Sequence, residues 1–137
     1  LADCFANSFC LSADVCNAYD PNWPETCDKR NNGLLNYGVA ICKYNGSRGK
    51  GSASDASAEA MGHVRTTLDN AGVIWQVATL GKVDQGGGGT VAAYMANRNI
   101  VTVDAGVPVL SMHAPMELVS KLDCYETMLA CKAIYLA

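Results

Sequence analysis

The stretch that decides the fold is residues 73–104, VIWQVATLGKVDQGGGGTVAAYMANRNIVTVD. Val73 to Thr79 is short, apolar and β-branched, and reads as a strand. The loop GKVDQGGGG, Gly81 to Gly89, follows; Thr90 to Arg98 is rich in small residues and reads as a second helix, and Ile100 to Asp104 returns to β-branched residues. Strand, glycine loop, helix and strand form the repeating unit of an α/β layer structure. Upstream, Val39 to Tyr44 (VAICKY) is a further strand. The loop GSRGKGSASD then ends in a helix N-cap at Ser54 or Asp55. The helix it opens, Ala56 to Asn70, carries Met61, Val64, Leu68 and Ala71 on one side and Glu59, His63, Thr66 and Asn70 on the other, and Gly72 closes it. Downstream, Val107 to Met112 is an extended run ending at His113. Pro115 suits the first turn of a last helix reaching about Ile134, with Leu118, Leu122, Tyr125, Leu129 and Ala133 as its inward stripe and Glu117–Lys121 as a supporting pair. Residues up to about Tyr37 read as irregular. The expected fold is α/β, a three-layer sandwich with a mostly parallel or mixed sheet flanked by helices.

Composition narrows the classes of function. The chain has 137 residues and a net charge of -3; half its residues are apolar and 17% are charged. That is one domain with a real core, 1–137, and not a disordered tail. No basic run exists to neutralise phosphates, so no nucleic-acid partner is expected. No apolar run approaches the roughly 18–20 residues of a membrane span, and no leader of charged then apolar residues stands at the start. The expected location is cytoplasmic. The first residue is Leu1, which reads as a terminus processed, trimmed or cut from something longer. The seven cysteines, at 4, 10, 16, 27, 42, 124 and 131, form no Cys-x-x-Cys pair. They read as scattered reduced thiols rather than a structural zinc site or a disulfide framework.

Several residues are candidates for chemistry. Gly86 to Gly89 lie between a strand and a helix, where phosphate loops sit. The specific patterns fail: Gly87 and Gly88 stand where a Walker loop needs Lys and Ser/Thr, and Val91 stands where a dinucleotide fingerprint needs its third glycine. What remains is either a tight connection or a backbone that approaches a ligand closely. His63 lies on the polar side of its helix and reads as exposed. His113, at the end of an extended run, sits where open α/β sheets collect ligands. Asp14, in Leu-Ser-Ala-Asp-Val, is a carboxylate in apolar sequence that calls for a partner such as a metal or backbone amides.

Four ordered segments together resemble a known family: LSADVCNAYDPNWPETCDKRN (11–31), YNGSRGKGSASDASAE (44–59), GKVDQGGGGTVAAYMANRN (81–99) and VDAGVPVLSMHAP (103–115). They look like segments in the same order in the bacterial branch of the aspartyl aminopeptidase / aminopeptidase I family, di-zinc exopeptidases that remove N-terminal residues from peptides. The resemblance runs from about Phe9 to Tyr135 and implies the C-terminal portion of such a catalytic domain. It implies that Asp14 ligates one zinc and His113 the other, and that Lys43 lies near the pocket for the substrate's first side chain. There a cation would suit an acidic group. It also implies that Gly89 and Thr90 line the active site. Histidines of the eukaryotic branch are replaced here by Asn17 and Asp20, which fits the bacterial branch and leaves strict acidic preference unsupported.

The same resemblance shows what this stretch lacks. The family's first zinc histidine, bridging aspartate, paired glutamates (one the general base) and inserted dimerisation domain all belong to segments before Leu1. A catalytic zinc normally needs three protein ligands, and a two-metal site needs a bridging group. The 137 residues alone are therefore expected to be inactive, with no catalytic residue of their own. The expected partners are a peptide substrate and the missing N-terminal half or another copy of the chain, in a homo-oligomer. The expected cofactor is zinc, two ions in the intact enzyme, with other divalent metals as substitutes. The alternative is a non-catalytic binding or assembly module on the same fold; a nucleotide binder built on Gly86 to Gly89 is weaker.

Overall fold

Residues 39–42, Val-Ala-Ile-Cys, are buried at every position, as an unbroken apolar run requires of a strand covered on both faces. They form β3 (Val39–Cys42), the hub of the computed structural model, which describes residues 1–43, 55–82 and 84–137. The other elements, in chain order, are α1 (Ala2–Ala6), β1 (Phe9–Ser12), β2 (Cys16–Asn17), a 3-10 turn (Pro24–Thr26), α2 (Ala58–Asn70), β4 (Trp75–Ala78), α3 (Ala92–Ala96), β5 (Val101–Gly106), β6 (Pro108–Leu110), β7 (Leu118–Val119) and α4 (Lys121–Tyr135).

The main sheet has four strands in the order β1-β5-β3-β4. β1 is parallel to β5 and β3 to β4, while β3 and β5 are antiparallel, so the sheet is mixed. A second sheet, β2-β6-β7, pairs Cys16 with Pro108 and Asn17 with Val109 in parallel, and β6 with β7 antiparallel. Alternation along the strands separates two buried faces. Val39, Ile41, Val103 and Ala105 face α2 and α4, where Ala60, Val64, Leu68 and Ala130 complete the main core. Each fully buried valine or leucine there contributes about 1.5–3 kcal/mol. The opposite face of β3 packs Ala40 and Cys42 against Cys16 and Ala78, and on that side α3 lies against β5 and β1. This is the α/β arrangement of sheets flanked by helices that the sequence predicts. Among the described residues no helix is long and apolar enough to cross a membrane.

Several expected elements differ in detail. The irregular N-terminal third contains α1, β1 and β2; its strands are short, and their pairing partners lie some ninety residues downstream, beyond any local pattern. The expected N-cap Ser54 lies outside the described residues. The cap in place is Ser57, whose Oγ accepts from Ala60 N, because Asp55 is held by Lys43 instead. The small helix shrinks from the expected 90–98 to Ala92–Ala96.

The largest correction concerns the last helix. It starts at Lys121 under a Ser120 cap, not at Pro115, and Leu118 belongs to β7. Glu117 is therefore not in a helical pair with Lys121. The inward stripe is met in part: Leu129 and Ala133 pack against the main core, but Leu122 and Tyr125 are exposed, while Asp123, Glu126 and Ala130 are buried. The carboxylates point inward because loops beneath them have backbone donors to satisfy. Asp123 accepts from Asn36 N at 2.8 Å and Gly38 N at 2.9 Å. Glu126 accepts from Ile74 N at 2.9 Å.

Candidate metal and substrate site

Asp14 follows β1 by two residues and is exposed, its Oδ1 accepting from Val15 N at 2.8 Å. Its position is set by the neighbouring strand. A Cβ built on Gly106, at the end of β5, would lie 1.2 Å from the Asp14 carbonyl oxygen. Only glycine lets the two backbones pass that closely. Asp14 borders a hollow of about 480 Å³ shared with Gly89, Thr90, Val91, Tyr94 and Asn97. Thr90 is tied down by its Oγ1, which donates to Asp104 Oδ2 at 3.0 Å.

His113 is exposed and follows β6 by three residues. Both it and Ser111 have left-handed backbone, with φ of 67° and 58°, a conformation costly for most side chains and less so for histidine. The His113 N–H donates to Glu117 Oε1 at 2.5 Å, closing the turn. His113 borders a second hollow, of about 290 Å³, with Asn17, Leu80, Met112, Gly87 and Gly88. The two hollows thus flank one short run of chain: Gly87 and Gly88 face the histidine's, Gly89 and Thr90 the aspartate's. From Gly87 to Thr90 the chain spans at most roughly 11 Å between end Cα atoms.

Lys43 is placed differently. It follows β3, which runs antiparallel to β5 and hence to β1, so it leaves the sheet in the direction opposite to Asp14. Its ammonium pairs with the Asp55 carboxylate and donates to Ala56 O at 3.0 Å. Lys43 is not among the residues lining either hollow. His63 is exposed on α2, as its side of the helix predicts, with its ring edge-on to Phe9 at 5.5 Å.

Carboxylate and imidazole are both ordinary zinc donors, so Asp14 and His113 suit that metal in kind. Among the described residues, no three His, Cys, Asp or Glu side chains stand close enough to hold an ion. Three contributors escaped the sequence reading: Gly106, Glu117 and the buried Asp104, 3% exposed beneath Thr90. Their roles depend on contacts between segments, and no local motif marks them. Asp104 also acts on Cys10: burial, and then the charge of Asp104, raise the thiol's pKa above its ordinary value.

Known proteins resemble this chain over nearly its whole length. A relative described as a probable M18 family aminopeptidase 1, from Borreliella burgdorferi, is 50% identical over 129 residues, which is 94% of this chain and 28% of that relative. The crystal structure of an M18 aminopeptidase from Thermotoga maritima superposes with a TM-score of 0.93 at 47% identity, covering 97% of this chain and 30% of the other. Aminopeptidase I from Clostridium acetobutylicum gives 0.89 at 48% identity, with 93% and 28% covered. The chain therefore spans less than a third of the length of these relatives. The family model described as aminopeptidase I zinc metalloprotease (M18) matches residues 2–135, and this chain belongs to that family.

Proposed function

We propose that this chain is one portion of a zinc-dependent aminopeptidase, contributing one ligand to each of two metal ions and part of the substrate cleft, and that it is inactive without the remainder. The observation that carries this reading is the run Gly87–Thr90, which sets the His113 hollow and the Asp14 hollow on either side of one loop. Asp14 Oδ2 and the His113 imidazole are the atoms offered to metal. When bound, zinc supplies Lewis acidity and an activated water. The chain's own residues position these groups: Gly106 seats the Asp14 backbone, Glu117 holds the His113 turn, and Thr90 fixes the glycine run to β5 through Asp104. The exposed backbone of Gly87 and Gly89 faces the hollows and would lie along the bound peptide.

Lys43 leaves the sheet opposite to Asp14, lines neither hollow and is paired with Asp55, so it is not proposed as the contact for the substrate's first side chain and no demand for an acidic residue is proposed. An ammonium already neutralised attracts a second carboxylate less. The exposed apolar side chains of α4, among them Leu122, Tyr125 and Met128, are proposed contact points for the rest of the enzyme or for another copy in a homo-oligomer. The test is an assay of aminoacyl p-nitroanilide hydrolysis with zinc present. The chain alone is expected to show no turnover, and mixing it with the part of the Thermotoga maritima relative that lies outside the matched region is expected to restore it. Turnover by the chain alone would contradict this reading.

A further inference from the structure

Cys16 and Cys42 stand with their sulfurs 3.3 Å apart. Each is about 2% exposed, and neither has a part in the site described above. They arrive from different sheets: Cys16 begins β2, paired with Pro108, and Cys42 ends β3, paired with Ala78 and Asp104. A disulfide has its sulfurs about 2.05 Å apart, so closure asks for about 1.2 Å of approach between them. The strands differ in how readily they open. β2 pairs through two residues at the edge of its sheet, with a single bridge, Ala18 to Gly33, on its other side, whereas β3 sits between two neighbours in the main sheet. Short edge pairing opens locally at low cost.

We propose that Cys16 and Cys42 form a latent disulfide site, closed by a low-molecular-weight disulfide such as oxidised glutathione. Local opening of β2 exposes Cys16, which loses its proton to solvent and attacks one glutathione sulfur. The glutathione disulfide bond breaks, a mixed disulfide forms on Cys16, and one glutathione leaves and takes up a proton. When β2 closes again, deprotonated Cys42 attacks the Cys16 sulfur and expels the second glutathione, which is likewise protonated. Two protein thiols are oxidised, two electrons pass to one small disulfide, and two small thiols result. The bond staples the segment just after Asp14 to the strand that leads into Lys43, so oxidation fixes the two sheets against each other. This site stands independently of any metal.

The experiment incubates the reduced 137-residue chain with oxidised glutathione, quenches it with an alkylating agent under acid, and maps it without reduction after chymotrypsin digestion. Cleavage at Leu11, Tyr19, Tyr37 and Tyr44 releases Cys16 and Cys42 on separate peptides. The expected product is those two peptides joined, lighter by two hydrogen atoms and separated by dithiothreitol. A rise in the thermal unfolding midpoint on oxidation, reversed by reduction, is expected alongside it, because a cross-link restricts the unfolded chain. Recovery of both cysteines alkylated or carrying glutathione, pairing with other cysteines instead, or a lowered midpoint would overturn the proposal. Cys16→Ala should abolish the cross-link; where that variant fails to fold, the wild-type map and its paired midpoints decide.

Discussion

Gly106 shows how much one missing methyl group can decide. A side chain there would collide with the Asp14 carbonyl, at 1.2 Å from the added Cβ. Gly106→Ala is expected to destabilise the chain by about 2–3 kcal/mol, as overpacking against backbone does, measured by urea unfolding. Gly62 is the internal control. It lies in α2 with nothing within 4 Å of an added Cβ, so Gly62→Ala should stabilise by about 0.5–1 kcal/mol through helix propensity. Both are glycines in the sequence, and only the structure tells them apart. Cys10 gives a prediction in pH. Burial and the Asp104 charge raise its pKa in the folded state, so folding favours the neutral thiol. The resulting stability is full below the unfolded thiol's pKa and is lost as pH rises through the higher folded value. Unfolding followed from about pH 8 to about pH 11 should show stability falling at the alkaline end, and Cys10→Ser should remove part of that fall. An unchanged slope in the variant would refute the assignment.

Among the elements, those with a strong period of their own were readable. Helix α2 and strands β3, β4 and β5 follow from the patterns of Val64 and Leu68, VAIC, and the runs at 73–79 and 100–104. Helix α4 is legible at the right end of the chain, and Leu129 and Ala133 of its expected stripe pack on the core, but in its first turns Leu122 and Tyr125 face outward. Periodicity ranks leucine above aspartate for burial, but it cannot see that Asn36, Gly38 and Ile74 each bring a backbone donor under that helix. The prediction is therefore opposite to the hydrophobic reading. Asp123→Ala should cost about 2–4 kcal/mol, since two backbone donors, Gly38 N buried and Asn36 N partly so, lose a charged acceptor. Leu122→Ala, at a side chain 47% exposed, should change stability by less than about 0.5 kcal/mol. Chemical denaturation of the two variants side by side tests this, and a costlier leucine would restore the original stripe. The strands β1 and β2 were unreadable for another reason, because partners near residues 101–109 supply what four and two residues cannot show alone.

For the whole molecule, the family could be read from long ordered segments, and the comparisons bear it out. The role of each site residue could be expected only through that resemblance, because a carboxylate and a histidine nearly a hundred positions apart carry no local signal of metal binding. The fold puts them beside adjoining hollows at one glycine run, and among the described residues no three His, Cys, Asp or Glu side chains are grouped to hold an ion. A catalytic zinc normally takes three protein ligands, and the chain spans less than a third of its relatives' length. The decisive quantity is the zinc content of the chain reassembled with the complementary portion of its Thermotoga maritima relative, determined by elemental analysis after dialysis. Two ions per complex are expected with the wild-type chain, and one fewer with either Asp14→Ala or His113→Ala. Retention of both ions and full activity by these variants would contradict the account.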